Sequence, residues 1–146
     1  MNYHPMQATF TRSIDSLDSI FDLISAFVAK NQIGESVAFV IKLAVEEIFV
    51  NMVKYNAGKS TGILINLSRD DARVTASLTD GEADAFDPTK REIYNGEQPL
   101  ERRPIGGLGI HLTRSMMDRI EYEYSGGRSK TTLIKDLVKA PREPDV

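Results

Sequence analysis

Glu47, Asn51 and Lys54 stand at i, i+4 and i+7 of an apolar-rich segment. On an α-helix that spacing sets a carboxylate, a carboxamide and an ammonium along one stripe. The amide oxygen is a hard ligand suited to Mg²⁺, the ammonium is a point charge for phosphate, and the carboxylate can polarise the hydroxyl of a nucleophile. Together they make one half of a phosphoryl-transfer site. Taken alone, such a stripe is more simply read as a solvated helix face. Glu46 is rotated by one residue and is expected to be structural or partner-facing.

The run Gly106-Gly107-Leu108-Gly109 opens a further helical segment. Glycines there let the backbone approach a phosphate, and the first N–H groups of the helix point outward to meet it. A plain turn before a helix is the competing reading. Two better-known phosphate motifs fail. Gly58-Lys59-Ser60 imitates the end of a P-loop, but the earlier glycine is replaced by Val53 and the tripeptide follows a helix rather than a strand. Gly107 and Gly109 begin a dinucleotide fingerprint whose third glycine falls on Leu112. Asp80-Gly81 ends a strand, where a carboxylate can accept from the exocyclic amine of adenine, although Asp-Gly is often only a turn. His4 and His111 have no metal-like partner spacing, and Met116 and Met117 read as core or contact filler.

These residues need elements to position them. Leu17, Ile20, Phe21, Ile24, Phe27 and Val28 recur at helical spacing and predict a helix over about 15–31, capped by Asp15 or Ser16. Ser36 caps a second and more buried helix that runs to about Tyr55. Ile63, Ile65 and Leu67, then Val74, Ala76 and Leu78, alternate on either side of the Arg69-Asp70-Asp71 turn as a hairpin. Ile120 to Tyr124 and Thr131 to Lys135 flank Ser125-Gly126-Gly127-Arg128 as a second hairpin. The stretch from Asp80 to Pro104 is long for a connector and suggests a functional loop. The expected architecture is α+β: a two-layer sandwich of a mixed, mainly antiparallel sheet with helices on one face.

A chain of 146 residues fits one domain, 1–146, with its core at about 10–137 and a frayed tail at 138–146. There is no cysteine and no signal-like apolar region, which favours the cytoplasm. Lys42, Glu46, Glu47 and Asn51 interrupt the most apolar stretch, which argues against a membrane span. With 18 basic and 21 acidic residues intermixed and a net charge of -3, direct nucleic-acid binding is not expected.

In this order the pieces resemble the GHKL nucleotide-binding fold, and within it the RsbW-type serine-protein kinases that act as anti-sigma factors. The resemblance covers about Phe10 to Lys135. Its most specific parts are Glu47-Ile-Phe-Val-Asn51, similar to the family's N box, and Arg103-Pro-Ile-Gly-Gly-Leu-Gly-Ile-His-Leu-Thr-Arg-Ser-Met-Met-Asp118, similar to its glycine box and following helix. The resemblance implies ATP and Mg²⁺ as cofactors, Glu47 as general base, Asn51 as Mg²⁺ ligand and Asp80 as adenine reader. It further implies Gly106, Gly107, Leu108 and Gly109 as the phosphate loop, about Glu92 to Pro104 as an ATP lid, and Thr131 as a nucleotide contact. Lys54 resembles the corresponding lysine of sensor histidine kinases. The family usually has Asp-x-Gly with a Phe five residues after the Asp, whereas Gly81 here directly follows Asp80 and Phe86 is six away, so Asp84 is the alternative adenine contact.

The implied activity is serine/threonine phosphorylation of a small STAS-type antagonist, with a sigma factor as the regulated partner and a homodimer as the assembly. A binding-only ATP switch of the same fold is the alternative. A sensor histidine kinase fragment fits less well, because no helical hairpin with a phosphoacceptor His precedes the ATP-binding segment. An α+β interaction module is the reading outside this fold.

Overall fold

The computed structural model describes residues 2–55, 59–81 and 116–137. The glycine loop at 106–109, the expected lid at 92–104, Asp84 and the tail from 138 lie outside the described residues.

Helix α1, Leu17–Lys30, buries Ile20, Ile24 and Phe27, the stripe that its periodicity announced. Ser16 takes its N-cap position, as expected, but its side chain makes no cap hydrogen bond to the helix. Ile14–Ser16 forms a 3-10 turn capped by Ser13, whose Oγ accepts from the Asp15 N–H at 3.1 Å. The Ser16 hydroxyl instead donates back to the Thr11 carbonyl at 2.8 Å, which pins the entry to the helix. Asn31 ends α1 and Gln32 takes φ 57°, while the Ile33 N–H closes on the Val28 carbonyl at 3.1 Å, a Schellman-type stop with glutamine in the left-handed position.

Helix α2, Glu35–Tyr55, begins one residue earlier than Ser36, because the Gly34 carbonyl already accepts the Ala38 N–H at 2.9 Å. Ser36 therefore lies inside the first turn. Helix α2 buries Ile41, Ala44, Val45, Ile48, Phe49, Asn51 and Met52. Six of these are apolar and one is not.

Five strands form one sheet in the order β1-β2-β3-β5-β4: β1 Met6–Phe10, β2 Ile63–Arg69, β3 Arg73–Asp80, β4 Arg119–Ser125 and β5 Arg128–Asp136. All four pairings among the described strands are antiparallel. The two hairpins stand where alternation placed them, each a little longer than expected. Asp70 tightens the first turn by accepting the Ala72 and Arg73 N–H groups at 2.8 and 2.9 Å, and these donors hold its carboxyl below the ordinary value. Gly126 and Gly127 close the second at φ 58° and 80°, the positive pair that a two-residue hairpin turn requires. Strand β1 was not expected. It pairs with β2 from Met6 opposite Leu67 to Phe10 opposite Ile63 and makes one edge of the sheet.

One face of the sheet carries Ile63, Ile65, Leu67, Val74, Ala76, Leu78 and Leu133, all in a single buried cluster with the α1 and α2 residues and Met117. Each large apolar side chain so buried contributes about 1.5–3 kcal/mol. The opposite face is mainly polar, with Thr9, Asn66, Thr75, Thr79, Lys130 and Glu123 at the alternate positions beside the apolar Leu64 and Ile134. Among the described residues the helices α1 and α2 therefore cover one face of the sheet, as the sequence led one to expect. Among the described residues no helix is long and apolar enough to cross a membrane.

Candidate functional site

Two successive turns of α2 carry Glu47 and Asn51. Asn51 is wholly buried, and its Nδ2 donates to the Glu47 backbone carbonyl at 2.7 Å. Its Oδ1 is also buried and meets no donor among the described residues. An acceptor left in that state costs about 1–3 kcal/mol, which an aliphatic side chain at a core position would avoid. Glu47 is half-buried. Desolvation, and to a lesser degree the neighbouring charge of Glu46, raises its carboxyl above the ordinary carboxylate value. Lys54 is exposed in the last turn of α2, where a cation also suits the helix dipole.

The sheet supplies the other side. Register aligns Phe10, Ile63, Asp80, Ser129 and Tyr124 in one row across the five strands, and Ala8, Ile65, Leu78, Thr131 and Tyr122 in the next. Both rows lie on the helix-covered face, and α2 packs against β3 and β5. Asp80 is fully buried at the end of β3, and Thr131 is buried on β5 in the adjacent row. Gly81 is exposed just after β3, and a Cβ there would come within 3.3 Å of the Thr61 methyl. Glu47, Asn51, Asp80 and Thr131 thus belong to the facing layers of one interface. Lys54 is exposed at its margin, and 106–109 are not among the described residues.

Sequence reading missed the partner of Asp80. Arg12, two residues beyond β1, donates from Nη1 to Oδ2 at 2.8 Å and from Nη2 to Oδ1 at 2.6 Å. The Arg12 side chain is 4% exposed and that of Asp80 0%, so this fork is a buried ion pair. A signal was available: Met6, Ala8 and Phe10 alternate inward, and Arg12 is the next inward position. A charge that continues a buried alternation requires a partner.

A family model, the histidine kinase-like ATPase domain, matches residues 10–135. The chain belongs to this family. Among curated proteins it is similar to the serine-protein kinase RsbW of Staphylococcus epidermidis, with 35% identity over 92 residues covering 58% of this chain and 58% of that protein. It is also similar to the sensor histidine kinase YxdK of Bacillus subtilis, with 29% identity over 86 residues covering 56% of this chain and 26% of that one. The chain thus matches little more than half the length of the first relative and about a quarter of the second. The fold is shared with the crystal structure of the RsbU and RsbW domains of Rv1364c from Mycobacterium tuberculosis, at a TM-score of 0.67 and 16% identity over 90% of this chain and 32% of that one. The described strands and helices are those of a histidine kinase-like ATPase domain, and the ion pair at Asp80 is built into its layer interface.

Proposed function

We propose that this chain is an ATP-dependent serine/threonine kinase of the anti-sigma factor type, acting on a small STAS-type antagonist and regulating a sigma factor by partner switching. The carrying observation is the buried Oδ1 of Asn51, one turn from Glu47 and without a donor among the described residues, inside a histidine kinase-like ATPase fold. Similarity to RsbW supports the choice of a protein substrate.

Asn51 fits Mg²⁺, because a neutral amide oxygen already stripped of water is a hard ligand that gains a partner when the cation binds. When bound, Mg²⁺ would neutralise charge on the phosphates. Asp80 accepts from the exocyclic amine of adenine, and Thr131 borders the same site on β5. Lys54 and the backbone of Gly81, Gly106, Gly107, Leu108 and Gly109 complete the nucleotide contacts. Glu47 takes the proton of the attacking hydroxyl, and the upward shift from its partial burial moves its basicity toward neutral pH, where a general base works best. The assembly is a homodimer in the cytoplasm.

The test uses labelled ATP, this protein and a candidate STAS-type antagonist, most simply one encoded beside it. Label appearing on a serine or threonine of the antagonist is the expected result. If the protein binds both ATP and the antagonist yet never labels it, the kinase reading falls and a binding-only switch replaces it.

A further inference from the structure

The buried fork between Arg12 and Asp80 lies at the site where the proposed function puts the base, and no part of that proposal uses Arg12. We infer that Arg12 is a positioning residue for base recognition: it holds the Asp80 carboxylate in the one orientation that accepts the exocyclic amine of adenine. The inference rests on the nucleotide-binding reading of this fold.

Geometry carries the argument. An ionised carboxylate has about four acceptor positions, and a bidentate guanidinium occupies two of them while fixing the plane of the group. Arg12 itself is held on both sides. The Thr11 carbonyl accepts from the Ser13 N–H at 2.7 Å and from the Ser16 hydroxyl at 2.8 Å, and the Ser13 Oγ accepts from the Asp15 N–H at 3.1 Å. The guanidinium reaches from beyond β1, past β2, to the end of β3, because Phe10, Ile63 and Asp80 share one row. A segment 68 residues away in the chain therefore takes part in setting the orientation of Asp80. A carboxylate locked as an acceptor welcomes the amine of adenine and repels the carbonyl that guanine presents at the same position.

Binding of ATP and of purine riboside triphosphate, which lacks the exocyclic amine, is measured by calorimetry with Mg²⁺ for the parent, Arg12→Met, Arg12→Lys and Asp80→Asn. The parent is expected to prefer ATP by roughly tenfold or more, the usual worth of a hydrogen bond to a charged group. In Arg12→Met the preference is expected to fall below about threefold, through loss of ATP affinity while that for the analogue holds. Arg12→Lys retains the charge without the fork, is expected to fall between the two, and carries the test if the methionine variant does not fold. Equal weakening of both nucleotides in the Arg12 variants, with the preference intact, would show a purely structural pair and overturn the inference. A parent that binds ATP without preferring it also overturns it, and a parent that binds neither nucleotide removes the underlying reading of the site.

Discussion

Asn51 donates its amide N–H to the backbone carbonyl of Glu47, one helical turn earlier, at 2.7 Å, which leaves its buried Oδ1 without a donor among the described residues. The amide orientation of the side chain is thereby fixed, with its oxygen as the atom left to accept. Glu47 and Asn51 are linked through backbone, so whatever orients one turn of α2 orients the other.

Replacing Asn51 by alanine is expected to separate binding from stability. Alanine loses one hydrogen bond of about 1 kcal/mol, but it also removes an orphaned acceptor that costs about as much or more, and it favours the helix. Thermal unfolding without nucleotide should therefore change by less than about 1 kcal/mol. Affinity for ATP in the presence of Mg²⁺ should fall by at least about tenfold, since loss of even a supporting group at a metal site has that effect. Calorimetry with and without Mg²⁺ checks the split, and undiminished Mg²⁺-dependent affinity would remove the role given to Asn51.

Glu47→Gln is expected to bind ATP nearly as the parent does, because a general base matters for moving a proton and little for holding a nucleotide. Phosphate transfer should fall by ~10²–10⁴-fold, the usual contribution of general acid–base catalysis. Quench-flow labelling of the antagonist measures it. Transfer at the parent rate would leave the kinase reading standing and withdraw only Glu47.

The helices and both hairpins were legible because their apolar residues repeat at 3.6 and at 2, and those repeats are what the core consumes. Strand β1 escaped notice because its inward residues, Met6, Ala8 and Phe10, include one small side chain and the burial is only partial. Ser16 stands at the N-cap of α1 as expected but its side chain makes no cap hydrogen bond, and Ser36 falls inside α2, since serines at 13, 16 and 36 offer the same chemistry and only the path of the chain selects among them. Asn51 and Asp80 were singled out by type and spacing, and both are buried polar residues. Arg12 was missed because its signal, a charge continuing the inward alternation of Met6, Ala8 and Phe10, depends on a strand that went unread, and its partner lies 68 residues away.

Gly62 offers a check on how tightly β1 is seated. A Cβ at this position would lie 2.7 Å from the Thr9 methyl and 2.9 Å from the Phe10 carbonyl oxygen. The methyl can rotate, but the carbonyl belongs to the β1–β2 ladder and cannot yield without moving the strand. Gly62→Ala should therefore destabilise the fold by about 1–3 kcal/mol, the usual cost of overpacking, and lower the melting temperature by several degrees. A variant that melts with the parent would show that β1 shifts at no cost.

The half-buried carboxyl of Glu47 makes stability depend on pH in a defined direction. Burial, followed by repulsion from Glu46, raises it above the ordinary value of 4.5. The folded chain then holds this proton more tightly than the unfolded chain, so the stabilisation from the protonated group is fully present below the unfolded value and is lost as pH climbs through the raised one. Glutamine at position 47 is neutral at every pH and escapes that loss. Glu47→Gln should therefore melt above the parent at about pH 7, by about a degree or two once solvent screening of a partly exposed group is allowed for, and the gap should close as pH falls toward 4.5. Glu46→Gln removes only the smaller, repulsive cause and should give a smaller gap of the same sign. Scanning calorimetry across this range decides it: a gap independent of pH would mean that burial of the charge is not what distinguishes the two side chains.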